Sequence, residues 1–201
     1  MNGRDILIVG VGGQGVLLAS EVLSNAALDA GFDVKKSEVH GMAQRGGVVS
    51  SHVRMGDRVH SPLIPEGRAD VILAFEQSEA LRWIHFVMPE GAAIVNLKTL
   101  IPPIALLKGK TAAYPENPMD SIRRRISRVL AVPAGEIAAG LGNQRVENAV
   151  LLGVLSRFLR LPEPVWEAAL RNRVPRGTEA VNLRAFQAGA EFEKESAGRH
   201  V

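Results

Sequence analysis

The chain has 201 residues, 46% of them hydrophobic and 22% charged, and a net charge of +3 from 24 Lys+Arg against 21 Asp+Glu. That length suits one domain, able to bury on the order of 70% of its unfolded surface. Aromatics are 4% and the dense basic run is confined to Arg123-Arg124-Arg125 with Arg128, which argues against a nucleic-acid surface. The absence of cysteine excludes disulfides and any cysteine-ligated iron–sulfur cluster held by this chain.

Taken in order, Asp5–Gly10 predicts a strand and Gln14–Ala30 a helix that stops at Gly31. Phe32–Glu38 predicts a second strand. Val48–Met55, alternating and β-branched, predicts a third, with Gly56-Asp57 turning it towards Arg58–His60. Asp70–Phe75 reads as a buried strand, Ser78–Phe86 as a helix and Ala92–Asn96 as a strand. Pro102-Pro103 breaks the chain, and Thr111–Tyr114 suggests a further edge strand. From Ser121 the pattern turns helical, over Ser121–Ala131, Val146–Arg160, Pro164–Arg171 and Thr178–Lys194. Pro133, Gly140-Leu141-Gly142, Pro162 and Pro175 separate these segments.

Alternating strands and helices point to a Rossmann-like α/β fold with a mostly parallel sheet flanked by helices. Residues 1–201 read as a single domain with a helical extension from about 121. The longest later apolar stretch, Ala149 to Leu155, is far short of the roughly 20 residues needed to span a bilayer. A cytoplasmic location is expected, with no contact to membrane or nucleic acid.

The first candidate site is Gly10-Val11-Gly12-Gly13-Gln14-Gly15, between the first strand and the first helix. In that setting Gly10 permits a tight turn, Gly12 lets backbone approach an anion, and Gly15 lets helix and strand pack closely. The helix N-terminus then offers unpaired N–H groups and the positive end of its dipole. An NAD-binding unit needs an acid roughly 20 residues further on for the ribose hydroxyls. That position holds Lys35-Lys36, and Glu38 comes late. The basic pair suits a phosphate, as in NADP or coenzyme A, or a solvated strand end.

The second candidate site is Ser37-Glu38-Val39-His40-Gly41-Met42-Ala43-Gln44-Arg45-Gly46-Gly47. It gathers an acid, a histidine, an amide and an arginine among glycines, in a loop at the carboxyl edge of the sheet. Arg45 beside Gly46-Gly47 can aim a planar donor fork at a carboxylate or phosphate. The competing account has Gly46-Gly47 forming a bulge and Arg45 pairing internally with Glu38. His40 reads more readily as a hydrogen-bonded structural residue than as a general base. A zinc site from His40, His52 and His60 fails on spacing.

These segments, with Ser51-His52-Val53-Arg54, Ala69–Glu76, Gly142-Asn143 and Asn182–Phe186, resemble the gamma-type subunit or domain of the 2-oxoacid:ferredoxin oxidoreductases. Within that family the likeness is to the branch acting on indolepyruvate, and it covers nearly the whole chain. The resemblance implies an assembly that decarboxylates a 2-oxoacid on thiamine diphosphate, passes electrons through iron–sulfur clusters to ferredoxin and releases an acyl-CoA. Thiamine diphosphate and clusters are then carried by a larger partner subunit, and this chain alone binds neither cofactor nor metal and holds no catalytic residue. Its ligand or partner-site candidates are Gly10, Gly12, Gly13, Gln14, Gly15, Glu38, His40, Gln44, Arg45, Gly46, Gly47 and Glu76. Self-association into a homodimer is left open for the isolated chain. Two other readings stay open beside this one: a stand-alone NAD(P)-dependent oxidoreductase, and a nucleotide-binding interaction module.

Overall fold

A computed structural model describes residues 3–41, 47–100 and 114–198, with 40 and 194–198 given by backbone alone. Its frame is a six-stranded sheet in the order β2-β3-β1-β4-β5-β6. The strands are β1 (Arg4–Val11), β2 (Asp33–His40), β3 (Val48–Gly56), β4 (Ala69–Ala74), β5 (Val87–Asn96) and β6 (Arg128–Val132). β1, β4, β5 and β6 run parallel, whereas β3 pairs antiparallel with both β1 and β2. β3 is therefore the single reversed strand, wedged between β1 and β2.

Ile6, Leu7, Ile8 and Val9 are all fully buried, as a central strand covered on both faces requires. Ile6 and Ile8 face one apolar cluster with Leu73 and Ile94, while Leu7 and Val9 face the other with Ile72 and Val95. The first cluster is closed by α1 (Val16–Asp29), α4 (Ala134–Gly140), α5 (Glu147–Ser156), α6 (Glu163–Arg173) and α7 (Glu179–Gly198). The second is closed by α2 (Gln77–Trp83), continued by a 3-10 turn over Ile84–Phe86, and by α3 (Pro118–Arg123). Gly31, at φ +88, ends α1 as expected and returns its N–H to Leu28 O at 2.9 Å.

Two expectations need correction. Ser121–Ala131 is not one helix: the short α3 ends at Arg123 and Arg128–Val132 joins the sheet as β6. Ile122, Ile126 and Leu130 recur at helical spacing, yet Leu130 and Val132 pack against one apolar cluster and Val129 and Ala131 against the other, the alternation of a strand. Secondly, Ala134–Gly140 forms a helix between two residues read as breakers, because Pro133 sits at its start, where proline is tolerated. Of the suggested strand at Thr111–Tyr114, only Tyr114 lies within the described residues, and it is not in a strand.

Candidate functional site

β1 and β2 end, and β3 begins, at the same carboxyl edge of the sheet. There Gly12 donates its N–H to Gly47 O at 2.8 Å, so the two glycine-rich motifs meet backbone to backbone. The reversed β3 makes this contact: it starts at the edge where β1 finishes, with Val11 opposite Val48. Gln44, Arg45 and Gly46 lie outside the described residues, as does the side chain of His40.

Within the first loop the glycine roles are redistributed. Gly10 remains in strand β1, and a Cβ there would lie 2.8 Å from the Phe75 Cβ, so its task is close packing and not the turn. The turn is made by Gly13 and Gly15, at φ +99 and +88, a region that side chains other than hydrogen rarely occupy. Gly15 abuts Asn148 of α5, whose Nδ2 would be 3.0 Å from an added Cβ; the close approach is helix to helix. Gln14 is the loop's stitch. Its Oε1 accepts the Val11 N–H at 2.7 Å, and its Nε2 donates to Phe75 O at 3.0 Å, tying the ends of β1 and β4 together. Asn96 Nδ2 donates to the same carbonyl at 3.3 Å.

No side chain caps α1, whose N-cap is Gly15. The loop that leads into it borders a groove of about 570 Å³ lined by Gly12, Gly13, Gln14, Lys98, Leu100, Gln144, Arg145 and Glu147. Lys98 Nζ reaches Glu147 Oε1 and Oε2 at 2.8 and 2.9 Å, while Arg145 is exposed. Lys98 is thereby engaged by an acid of the same groove, which leaves the exposed Arg145 beside the glycine loop. Lys98, Arg145 and Glu147 were missed in the sequence. The signal for Lys98 was its place just past the carboxyl end of β5, where ligands of open α/β sheets collect.

Glu38 is anchored, taking the Ser20 hydroxyl at 3.0 Å and Lys36 Nζ at 2.8 Å. Lys35 pairs with Asp33. Both lysines are therefore engaged by acids of their own strand. Glu76 is fully buried and caps α2, accepting the Glu79 N–H at 3.0 Å and the Ser78 hydroxyl. Its other oxygen accepts the Leu100 N–H at 3.3 Å and the Tyr114 hydroxyl. Burial, reinforced by the bond to the Glu76 carboxylate, pushes the Tyr114 phenol up to about 12. Glu79 beside it is pushed up by burial, with Arg82 pulling the other way. Glu76 is a structural clasp. Among the described residues no group of three or more His, Asp or Glu could hold a metal ion, and no helix is long and apolar enough to cross a membrane.

Sheet and loop together define a Rossmann-like α/β domain with a glycine-rich loop and a groove at its carboxyl edge. The chain belongs to the pyruvate ferredoxin/flavodoxin oxidoreductase family, whose pattern matches residues 5–192. It is 40% identical to the indolepyruvate oxidoreductase subunit IorB of Thermococcus kodakarensis, over 98% of this chain and 100% of that one. It is 41% identical to the IorB of Archaeoglobus fulgidus, over 92% of each chain. Among solved structures, the gamma subunit of a keto/oxoacid ferredoxin oxidoreductase from Geobacter sulfurreducens superposes with a TM-score of 0.71. That match has 24% identity and covers 96% of this chain and 99% of that one; it shows a shared fold.

Proposed function

We propose that this chain is the gamma-type subunit of a 2-oxoacid:ferredoxin oxidoreductase that takes arylpyruvates such as indolepyruvate. The observation carrying this reading is the 40% identity that spans the full length of an indolepyruvate oxidoreductase subunit. On this reading a larger partner subunit supplies thiamine diphosphate and the iron–sulfur clusters in a cytoplasmic assembly. A chain without cysteine does not fit a cluster of its own. The Gly12–Gly13 backbone with the exposed Arg145 beside it fits a phosphate-bearing ligand such as coenzyme A. The subunit's contribution is then positional and electrostatic. Copurification of the native protein tests the proposal. It requires a cysteine-rich, thiamine-binding partner and indolepyruvate-dependent reduction of a viologen dye by the pair. Dye reduction by the chain alone, or a native protein with no such partner, would falsify it.

The NAD(P)-dependent alternative meets an obstacle in the sheet order. In a dinucleotide fold the ribose acid sits on the strand next to β1. Here β3 occupies that place and moves the end of β2 one strand spacing further out, roughly 4.8 Å.

A further inference from the structure

A second cavity opens at the amino edge of the sheet, at the far end of β1 from the glycine loop. It is formed where β3 ends and β1 and β4 begin, and its volume of about 880 Å³ lies within the range of small-molecule sites. Its walls are tied together. Asp70 accepts Arg4 Nη1 at 2.8 Å and the Asp5 N–H at 2.7 Å, joining β4 to β1. Arg54 Nε donates to Asp5 Oδ1 at 2.9 Å, and its Nη1 donates to Ser61 O and Leu63 O, each at 3.2 Å. Asp33 Oδ2 takes the Val59 N–H at 2.8 Å, pinning the segment after β3 to the start of β2. These bonds occupy the charges of the floor: Arg4 and Arg54 are matched by Asp70 and Asp5, and Asp57 is engaged as well. Two cations are left over. Arg58, just past β3, and Arg68, just before β4, line the cavity and are exposed. Among the described residues their side chains have no hydrogen bond or ion pair.

We propose that this cavity binds a small molecule bearing two anionic groups, one on Arg58 and one on Arg68. β3 and β4 flank β1 on either side, so the strands next to the two arginines stand two spacings apart, roughly 10 Å. Two guanidinium forks that enter from opposite sides suit two separate anionic groups better than a single one. Two like charges facing one cavity repel each other, and a dianion turns that repulsion into two charge-assisted contacts. The lining as a whole carries four arginines against three aspartates, so no surplus acid stands in the ligand's way. Val59, Pro65 and Met88 give a carbon skeleton apolar wall to lie against. Carboxylates and phosphates share this chemistry. The site is at the opposite edge of the sheet from the groove beside Arg145, so the two can be filled independently.

Isothermal titration of the purified full chain with citrate and with inorganic pyrophosphate tests the site. At least one of the two probes should bind, and the tighter one tells whether the ligand carries carboxylates or phosphates. Arg58→Ala and Arg68→Ala should each weaken that binding about tenfold or more, as loss of a charge-assisted contact implies. Both variants should keep the wild-type melting temperature, because the side chains they remove are exposed and unpaired. Arg58→Lys and Arg68→Lys should recover the affinity only in part, since lysine keeps the charge and loses the fork. Arg125→Ala, which removes an exposed charge outside the cavity, should leave the affinity as it was. No binding of either probe at about 1 mM, binding that survives both Arg58→Ala and Arg68→Ala, or an equal loss in Arg125→Ala would each overturn the proposal.

Discussion

Glu76 gathers Ser78, Glu79, Leu100 and Tyr114 on one buried carboxylate. Glu76→Ala leaves those donors unpaired in the interior and should cost about 3–5 kcal/mol, read from the urea midpoint. Tyr114 is the only tyrosine, so tyrosinate absorbance follows it alone. Its phenol, raised to about 12, keeps its proton after an unfolded tyrosine has lost one, so stability falls as pH rises from about 10 towards 12. Glu76→Gln should bring the Tyr114 titration part of the way back, because burial, the larger cause, remains. His52 has the opposite sign. Burial lowers its imidazole below the usual value, and Nδ1 accepts the Ile64 N–H at 3.2 Å. Below about pH 6.5 an unfolded histidine takes up a proton that the folded one resists, so stability drops as pH falls through that range. Melting temperatures between pH 8 and 5.5 should show this slope, and His52→Gln should lack it.

At the scale of elements, α5 and α7 touch through two glycines. A Cβ on Gly153 would lie 1.9 Å from Phe186 O, and one on Gly189 would lie 2.0 Å from Val150 O. In an open helix Gly→Ala stabilises by about 1 kcal/mol. Here the obstacle is backbone on both sides, so Gly153→Ala should instead destabilise by about 3 kcal/mol, measured by chemical denaturation. Nothing in the local sequence announces this contact, since a glycine inside a helix looks the same whether it is tolerated or required. β1 and β4 were legible because a strand buried on both faces must be written as an unbroken apolar run. β6 was not. Its five residues follow three arginines, and Arg128 spends its charge over the Phe158 ring at 4.3 Å, a partner 30 residues away. The reversal of β3 was equally hidden, because direction in a sheet is set by long-range pairing and leaves no mark on a strand's own alternation.

For the whole molecule, the sequence located both glycine motifs and the edge of the sheet where they lie. It did not show that Gly12 and Gly47 share a hydrogen bond, or that Lys98, just past β5, and Arg145, in the 3-10 turn before α5, come to the same groove. Gln14 and Glu76, chosen for chemistry, prove to hold the scaffold together. The engaged Lys35 and Lys36 and the displaced β2 together predict that isothermal titration of the isolated chain with NADH gives no micromolar site. Coenzyme A should bind measurably, and Arg145→Ala should weaken that binding about tenfold, as loss of one charge-assisted contact implies. Tight NADH binding would restore the dehydrogenase reading.

The alternation of β2 also sets a rhythm that deuterium can read. Amides of Lys35, Ser37 and Val39 point into the hairpin and should exchange slowly, whereas that of Lys36 turns away from β3 and should exchange faster. A strand whose successive amides differ so widely acts as its own gauge of occupancy. Whatever docks along it will slow every second amide and leave the others as they were.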